Sequence, residues 1–155
     1  MHLFAAETIC MDDDLTVVCG LLSEFKVSTF TFYELMGGAC PCGWTVFAPT
    51  DDAFAAIEDI LSELTPEQIA DVLTFHAIQF QVFNYDDLQC KELLTMTNGG
   101  ESRTKCDKDD DTKERYKIQK GAGQLEDMMP RIIESDIEAC NGVIHKLNNV
   151  MIPKL

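Results

Sequence analysis

Cysteines, histidines and carboxylates are the residues of this chain that can do chemistry, and their spacing decides which chemistry is open. The seven cysteines, Cys10, Cys19, Cys40, Cys42, Cys90, Cys106 and Cys140, contain no CxxC pair, so zinc-ribbon and thioredoxin-like patterns are excluded. Cys40 and Cys42 are two ligands without a matching pair, which is not a metal site. At this density the set reads as disulfides of an oxidising compartment, and the odd count leaves at least one thiol free or open to a partner chain. His76 and His145 each sit in an apolar pattern. Both read as core or boundary histidines satisfied by backbone groups rather than as bases or ligands. The Asp12-Asp13-Asp14 run and the four Asp between Asp107 and Glu114 lack the order of a calcium loop. No nucleophile with a base, phosphate-cradling glycine loop or metal-ligand spacing appears, so no catalytic residue, metal or cofactor is expected.

Charge narrows the partners. Of the net −15, residues 1 to 90 contribute 15 acids against one base, Lys26, while residues 91 to 155 are nearly balanced with 12 acids and 11 bases. Such a field repels nucleic acid and anionic membranes and attracts cations and basic surfaces. Seven of the twelve bases lie between Arg103 and Lys120, the one region suited to an acidic partner or a second copy of the chain. No apolar run approaches the ~20 residues that span a bilayer. Met1 to Ala6 is too short for a signal peptide, so either a leader is missing from the sequence or the protein stays inside the cell. No Asn-x-Ser/Thr sequon occurs.

The elements that must position these residues follow from hydrophobic period, and 155 residues with 46% hydrophobic content suffice for one domain. Thr45-Val46-Phe47-Ala48 reads as a buried strand stopped by Pro49, and Trp44 at its entrance as partly buried. Thr50-Asp51-Asp52 opens a helix to about Glu63, with Thr50 as cap and the two Asp matching the helix dipole. Upstream, two short helices flank Asp12 to Asp14, which is expected to cap the second; Cys10 and Cys19 are placed to bridge them. Thr65-Pro66-Glu67-Gln68 starts another helix, with Ile69, Val72, Leu73 and His76 on one face. Ala77 to Phe83 alternates like a strand, Ile78, Phe80 and Val82 on one side. Around Thr97-Asn98-Gly99, a three-residue turn with left-handed Gly99 makes facing positions sum to 196 and sets Cys90 opposite Cys106; a two-residue turn shifts the register by one. Arg115 to Lys120 is a strand with Tyr116 and Ile118 inward. From Arg131 to Pro153 the pattern is strand, Asn141-Gly142 turn and strand, with Val150-Met151-Ile152 as a last β-like run.

TVFAPTDDAF at Thr45 to Phe54, LTFHAI at Leu73 to Ile78 and DIEACNGVIHKLNNVMIP at Asp136 to Pro153 together resemble the three signature stretches of the fasciclin I type domain family. The resemblance covers nearly the whole chain. It implies an α+β fold in which two β-sheets form a wedge-like sandwich beside helices from the N-terminal half, here a helical part of about 5–76 and a mainly β part of about 77–153. The family's Tyr-His pair falls on Phe75 and His76, without the phenol hydroxyl, and its Asp-Ile dipeptide on Asp136 and Ile137, with Ser135 and Glu138 departing from the usual flanks. These four residues are the candidate interaction positions that the resemblance supplies. Cys140 stands where a Thr is common.

The expected function is a non-catalytic extracellular adhesion or matrix-interaction domain, secreted or on the cell surface. Its partners would be cell-surface or matrix proteins or polysaccharides, or itself. The alternative is an acidic, calcium-binding or cation-bridged matrix component.

Overall fold

Trp44–Pro49 (β3), the run predicted as a buried strand, lies inside a four-stranded sheet in the computed structural model, which describes residues 3–27, 30–31 and 43–155. Cys40 and Cys42 lie outside the described residues. Before β3 come helices α1 (Ala5–Cys10) and α2 (Thr16–Glu24) and the short strands β1 (Lys26–Val27) and β2 (Phe30–Thr31). After it come α3 (Asp51–Ala55), α4 (Glu58–Ser62), α5 (Pro66–Thr74) and β4 (Ala77–Gln79), then a 3-10 turn at Tyr85–Asp87. The remaining strands are β5 (Leu93–Thr95), β6 (Glu101–Lys108), β7 (Arg115–Lys120), β8 (Ile132–Ala139) and β9 (Gly142–Leu147).

The four-stranded sheet has the order β4-β3-β9-β8, with β3 and β9 parallel from Trp44 opposite Gly142 to Pro49 opposite Leu147. A second, antiparallel sheet has the order β5-β6-β7, and a bridge between Ile118 and Arg131 links the two. This is the α+β, two-sheet architecture expected. Both faces of the larger sheet are covered. Trp44, Val46 and Ala48 alternate toward the helices, joining Ile9, Val18, Phe54 and Leu73 in one apolar cluster. Phe47, Leu147 and Ile132 point the other way and pack with Phe75, Ile78, Leu94 and Met151. Trp44 is therefore 1% exposed, buried and not partly so.

The helix starts obey their local signals. Thr50 accepts from Ala53 N–H at 3.3 Å, and Thr65 and Gln68 form the reciprocal capping box, at 3.2 and 3.0 Å. Two expectations about helices need correction. The Thr50 helix does not run to Glu63; a bond from Ile57 N–H to Phe54 O at 3.2 Å tightens the turn, and Ile57 stays buried while leaving helical geometry. The cap of α2 does not come from the Asp12 to Asp14 run. Asp51 supplies it from α3, accepting from Thr16 Oγ1 at 2.6 Å and Val17 N–H at 2.8 Å.

Among the strands, the hairpin register holds: Leu93 faces Arg103, Leu94 faces Ser102 and Thr95 faces Glu101, with Gly99 at φ +86. The Cys90–Cys106 disulfide closes it, and Cys10–Cys19 joins α1 to α2. The expected strand to Phe83 ends instead at Gln79. Phe80 takes φ +73 and turns outward, 68% exposed, and Val82 is also exposed. The buried Thr45 hydroxyl bonds Gln81 O at 2.9 Å and Phe83 N–H at 2.8 Å, satisfying the departing backbone. Nor do Val150 to Ile152 form a strand; the amides of Met151 and Ile152 are met by side chains, the latter on Gln124 Oε1 at 3.0 Å. Tyr116 is only half-buried, while its neighbour Gln119 is fully buried, its Oε1 accepting from Thr104 Oγ1 and its Nε2 donating to Ser102 Oγ.

Gly142 opens β9 where a side chain has no room: a Cβ there would lie 2.1 Å from Trp44 O. Gly142→Ala is expected to force the two strands apart and cost about 3 kcal/mol, lowering Tm by roughly 6–12 °C; an unchanged melting curve would show that the pair accommodates the methyl group.

Candidate functional site

Phe75 and His76 follow α5 directly, where the chain turns into β4, so both are carried inward. Phe75 is 1% exposed, its ring lying where Gly100 and Gly121 leave space. His76 is 3% exposed; its Nδ1 lies 2.6 Å from Val72 O, and its Nε2 accepts from Met151 N–H at 2.9 Å. An amide can only donate, so Nε2 is the acceptor and Nδ1 carries the proton. Burial pushes the ring's pKa down to about 4, although the bond to Val72 acts the other way. Both ring nitrogens are thus committed to backbone, and neither residue offers a contact face in this conformation.

Asp136 and Ile137 sit on β8, whose pairing with β9 shifts register between Glu134 and Ile137. Asp136 occupies that irregularity at φ +58, exposed, and Ile137 is half-buried against the helical core. The Asp136 carboxylate accepts from Tyr85 N–H at 2.7 Å, and its own N–H donates to His145 Nδ1 at 3.2 Å. His145 Nε2 then donates to Phe83 O at 2.8 Å, and the ring stands 5.6 Å from that of Phe47. Burial lowers the His145 pKa and the Lys117 charge adds to this; Phe83 and Asp136 oppose it. The structure therefore joins Asp136 to His145, a link invisible in sequence because it depends on a bulge, and ties both to the loop entering the 3-10 turn. His76 and Asp136 are held by different partners on different elements.

Another position missed by sequence reasoning is Lys146, which meets Asp12 at 2.7 Å, Glu134 at 3.0 Å and Asp14 at 3.5 Å. Its burial would lower the pKa, but hydrogen bonds and charge from Asp12 and Glu134 outweigh this and raise it. Alternating Ile144, His145 and Lys146 gave no hint that the lysine points at carboxylates far away in sequence. Several other acidic residues are also held by the chain. Asp71 accepts from Asn98 Nδ2 at 3.0 Å, and Asp109 from the amides of Asp111 and Thr112, which hold its carboxyl below the usual range. Among the described residues no group of three or more His, Cys, Asp or Glu is placed to hold a metal ion. Cys140, in the β8–β9 turn, is an exposed free thiol.

The sequence and the arrangement of helices and sheets coincide with a known family. Residues 20–153 match the Fasciclin domain, and the chain belongs to the Fasciclin domain family. It is similar to Protein sll1483 of Synechocystis sp., 30% identical over 117 residues that make up 72% of this chain and 56% of that relative; the chain thus spans little more than half the relative's length. Its fold is similar to a FAS1 domain pair from the insect cell adhesion molecule fasciclin I, with a TM-score of 0.56 and 15% identity over 94% of this chain and 43% of that one.

The buried histidines give the stability a defined pH dependence. Between about pH 6.5 and about 4 the unfolded chain binds a proton at position 76 that the folded chain refuses, so stability is complete above that window and falls as pH drops through it. Urea unfolding is expected to show a loss on the order of 3 kcal/mol from this group across the window. His76→Gln should lower stability at neutral pH but remove about one proton from the slope of stability against pH. An equal slope in the variant would rule out a neutral buried His76.

Proposed function

We propose that this chain is a non-catalytic contact domain acting outside the cell, holding matrix or cell-surface material through surface interactions. Membership of the Fasciclin domain family over residues 20–153 carries this reading, since domains of this kind are generally adhesive and not enzymatic. The fold likeness to an insect cell adhesion molecule supports it. So does the commitment of both buried histidines to backbone partners, which leaves neither ring free to move a proton for a substrate. Two disulfides fit an oxidising compartment. No helix among the described residues is long and apolar enough to cross a membrane.

Phe75 and His76 support such contacts from beneath, by fixing where α5 hands over to β4. Asp136 and Ile137 set the path of β8 and of the loop held by Tyr85. Contact through exposed groups also fits weak binding, because rim charges shape encounter more than they add affinity.

Beads coated with the folded, oxidised chain are expected to retain matrix fragments and cells several-fold better than beads coated with the reduced, alkylated and unfolded chain. Retention should fall as salt rises. Equal retention by the two preparations would remove the proposal.

A further inference from the structure

We infer that the cleft beside the Cys90–Cys106 disulfide is a binding site for a saccharide unit bearing one acidic group, a uronate sugar being the simplest case. The inference deepens the reading of the chain as a contact domain and rests on it. The cleft, of about 500 Å³, lies between the 3-10 turn at Tyr85–Asp87 and the outer end of the β6–β7 hairpin. Two half-buried tyrosines, Tyr85 and Tyr116, line it. Each ring is held by a cation: the Lys117 ammonium stands 4.5 Å from the Tyr85 centroid, and the Arg131 guanidinium 4.0 Å from that of Tyr116. Lys117 also donates to Tyr85 O at 2.6 Å and Leu88 O at 2.8 Å. The rings are fixed before any ligand arrives, and the disulfide closes the same wall, so little ordering remains for binding to supply.

The charges at the cleft specify the ligand further. Lys108 and Arg115 face each other directly in the β6–β7 register, an unfavourable pairing of like charges. Every ion pair within 4 Å among the described residues belongs to Lys146, so no described carboxylate pairs with either of these two. A ligand carboxylate or sulfate between them relieves the repulsion through charge-assisted bonds. Asp86 and Asp107 also line the cleft and can accept from sugar hydroxyls; Asp107 uses one oxygen on Lys108 N–H and keeps the other. Among the residues that line the cleft, Lys108, Arg115 and Lys117 outnumber these two carboxylates by one, and Arg131 behind Tyr116 adds to the positive field, which suits a ligand bearing an acidic group. Aromatic walls with a few polar groups around a concave site are what a sugar ring, apolar on its faces and polar at its edge, requires.

The test is a titration of the ¹⁵N-labelled full chain with a short uronate oligosaccharide, a neutral oligosaccharide of the same linkage, and acetate or sulfate alone. Amide shifts are expected near Tyr85, Lys108 and Tyr116 with the uronate oligosaccharide, and binding at least about tenfold weaker for the neutral sugar. Arg115→Glu and Tyr116→Ala should each weaken binding by about tenfold or more while the Cys90–Cys106 linkage persists. Should Tyr116→Ala fail to fold, Lys108→Gln at the exposed strand end replaces it. Equal binding of the neutral sugar, equal shifts with acetate or sulfate alone, an unaffected Arg115→Glu variant, or no shifts up to the limit of solubility would each overturn the assignment. Bead retention measured on the same preparations separates the two ideas. Retention without uronate binding would sink the cleft and leave the contact domain standing.

Discussion

The parallel pairing of Trp44–Pro49 with Gly142–Leu147 is the constraint on which the other elements depend. Both strands are interior to the sheet and covered on both faces, so no water reaches their backbone and every amide must find its partner in the sheet or in a side chain. The close approach that makes the pairing explains the glycine at position 142, where the Trp44 backbone occupies the place of a side chain. The helices then serve as one cover of this pair and the β5–β6–β7 sheet as the other.

Where regular pairing ends, polar side chains take over from it. Thr45 receives the backbone of residues 81 and 83, His76 that of Met151, His145 that of Phe83 and Asp136, and Gln124 that of Ile152. Each is a buried or half-buried group that would be costly if left alone and is inexpensive once paired. His76 and His145 thus have a structural explanation that needs no ligand. Lys146 extends the same logic to charge, drawing the acidic turn of the N-terminal helices onto β8 and β9.

Much of this was legible in sequence because it rests on local rules. Thr50 and Thr65 cap as their neighbours predict, the Asn98-Gly99 turn sets the hairpin register, and Cys90 meets Cys106 just beyond the paired residues, past a turn at Lys91. What stayed hidden depends on contacts between distant segments. Asp51 looked like the complement of its own helix and instead caps α2; Phe80 looked like the next inward residue of a strand and turns out because Thr45 offers its neighbours an alternative. The Asp136–His145 link required a bulge that no periodicity reveals, and the buried Gln119–Ser102–Thr104 group joins polar side chains of two strands whose sequences give no sign of it.

The two disulfides differ from the central strand pair in how far the chain must travel to make them. Cys10 and Cys19 are 9 positions apart and Cys90 and Cys106 are 16, whereas β3 at residues 44–49 must wait for β9 at residues 142–147. Closing a short loop costs little entropy, and non-local strand pairing is slow. During synthesis both crosslinks can therefore be made while the main sheet is still without its second central strand. Oxidation is thereby uncoupled from the late topological step, and four thiols that would otherwise wander among wrong partners are withdrawn before β9 joins β3.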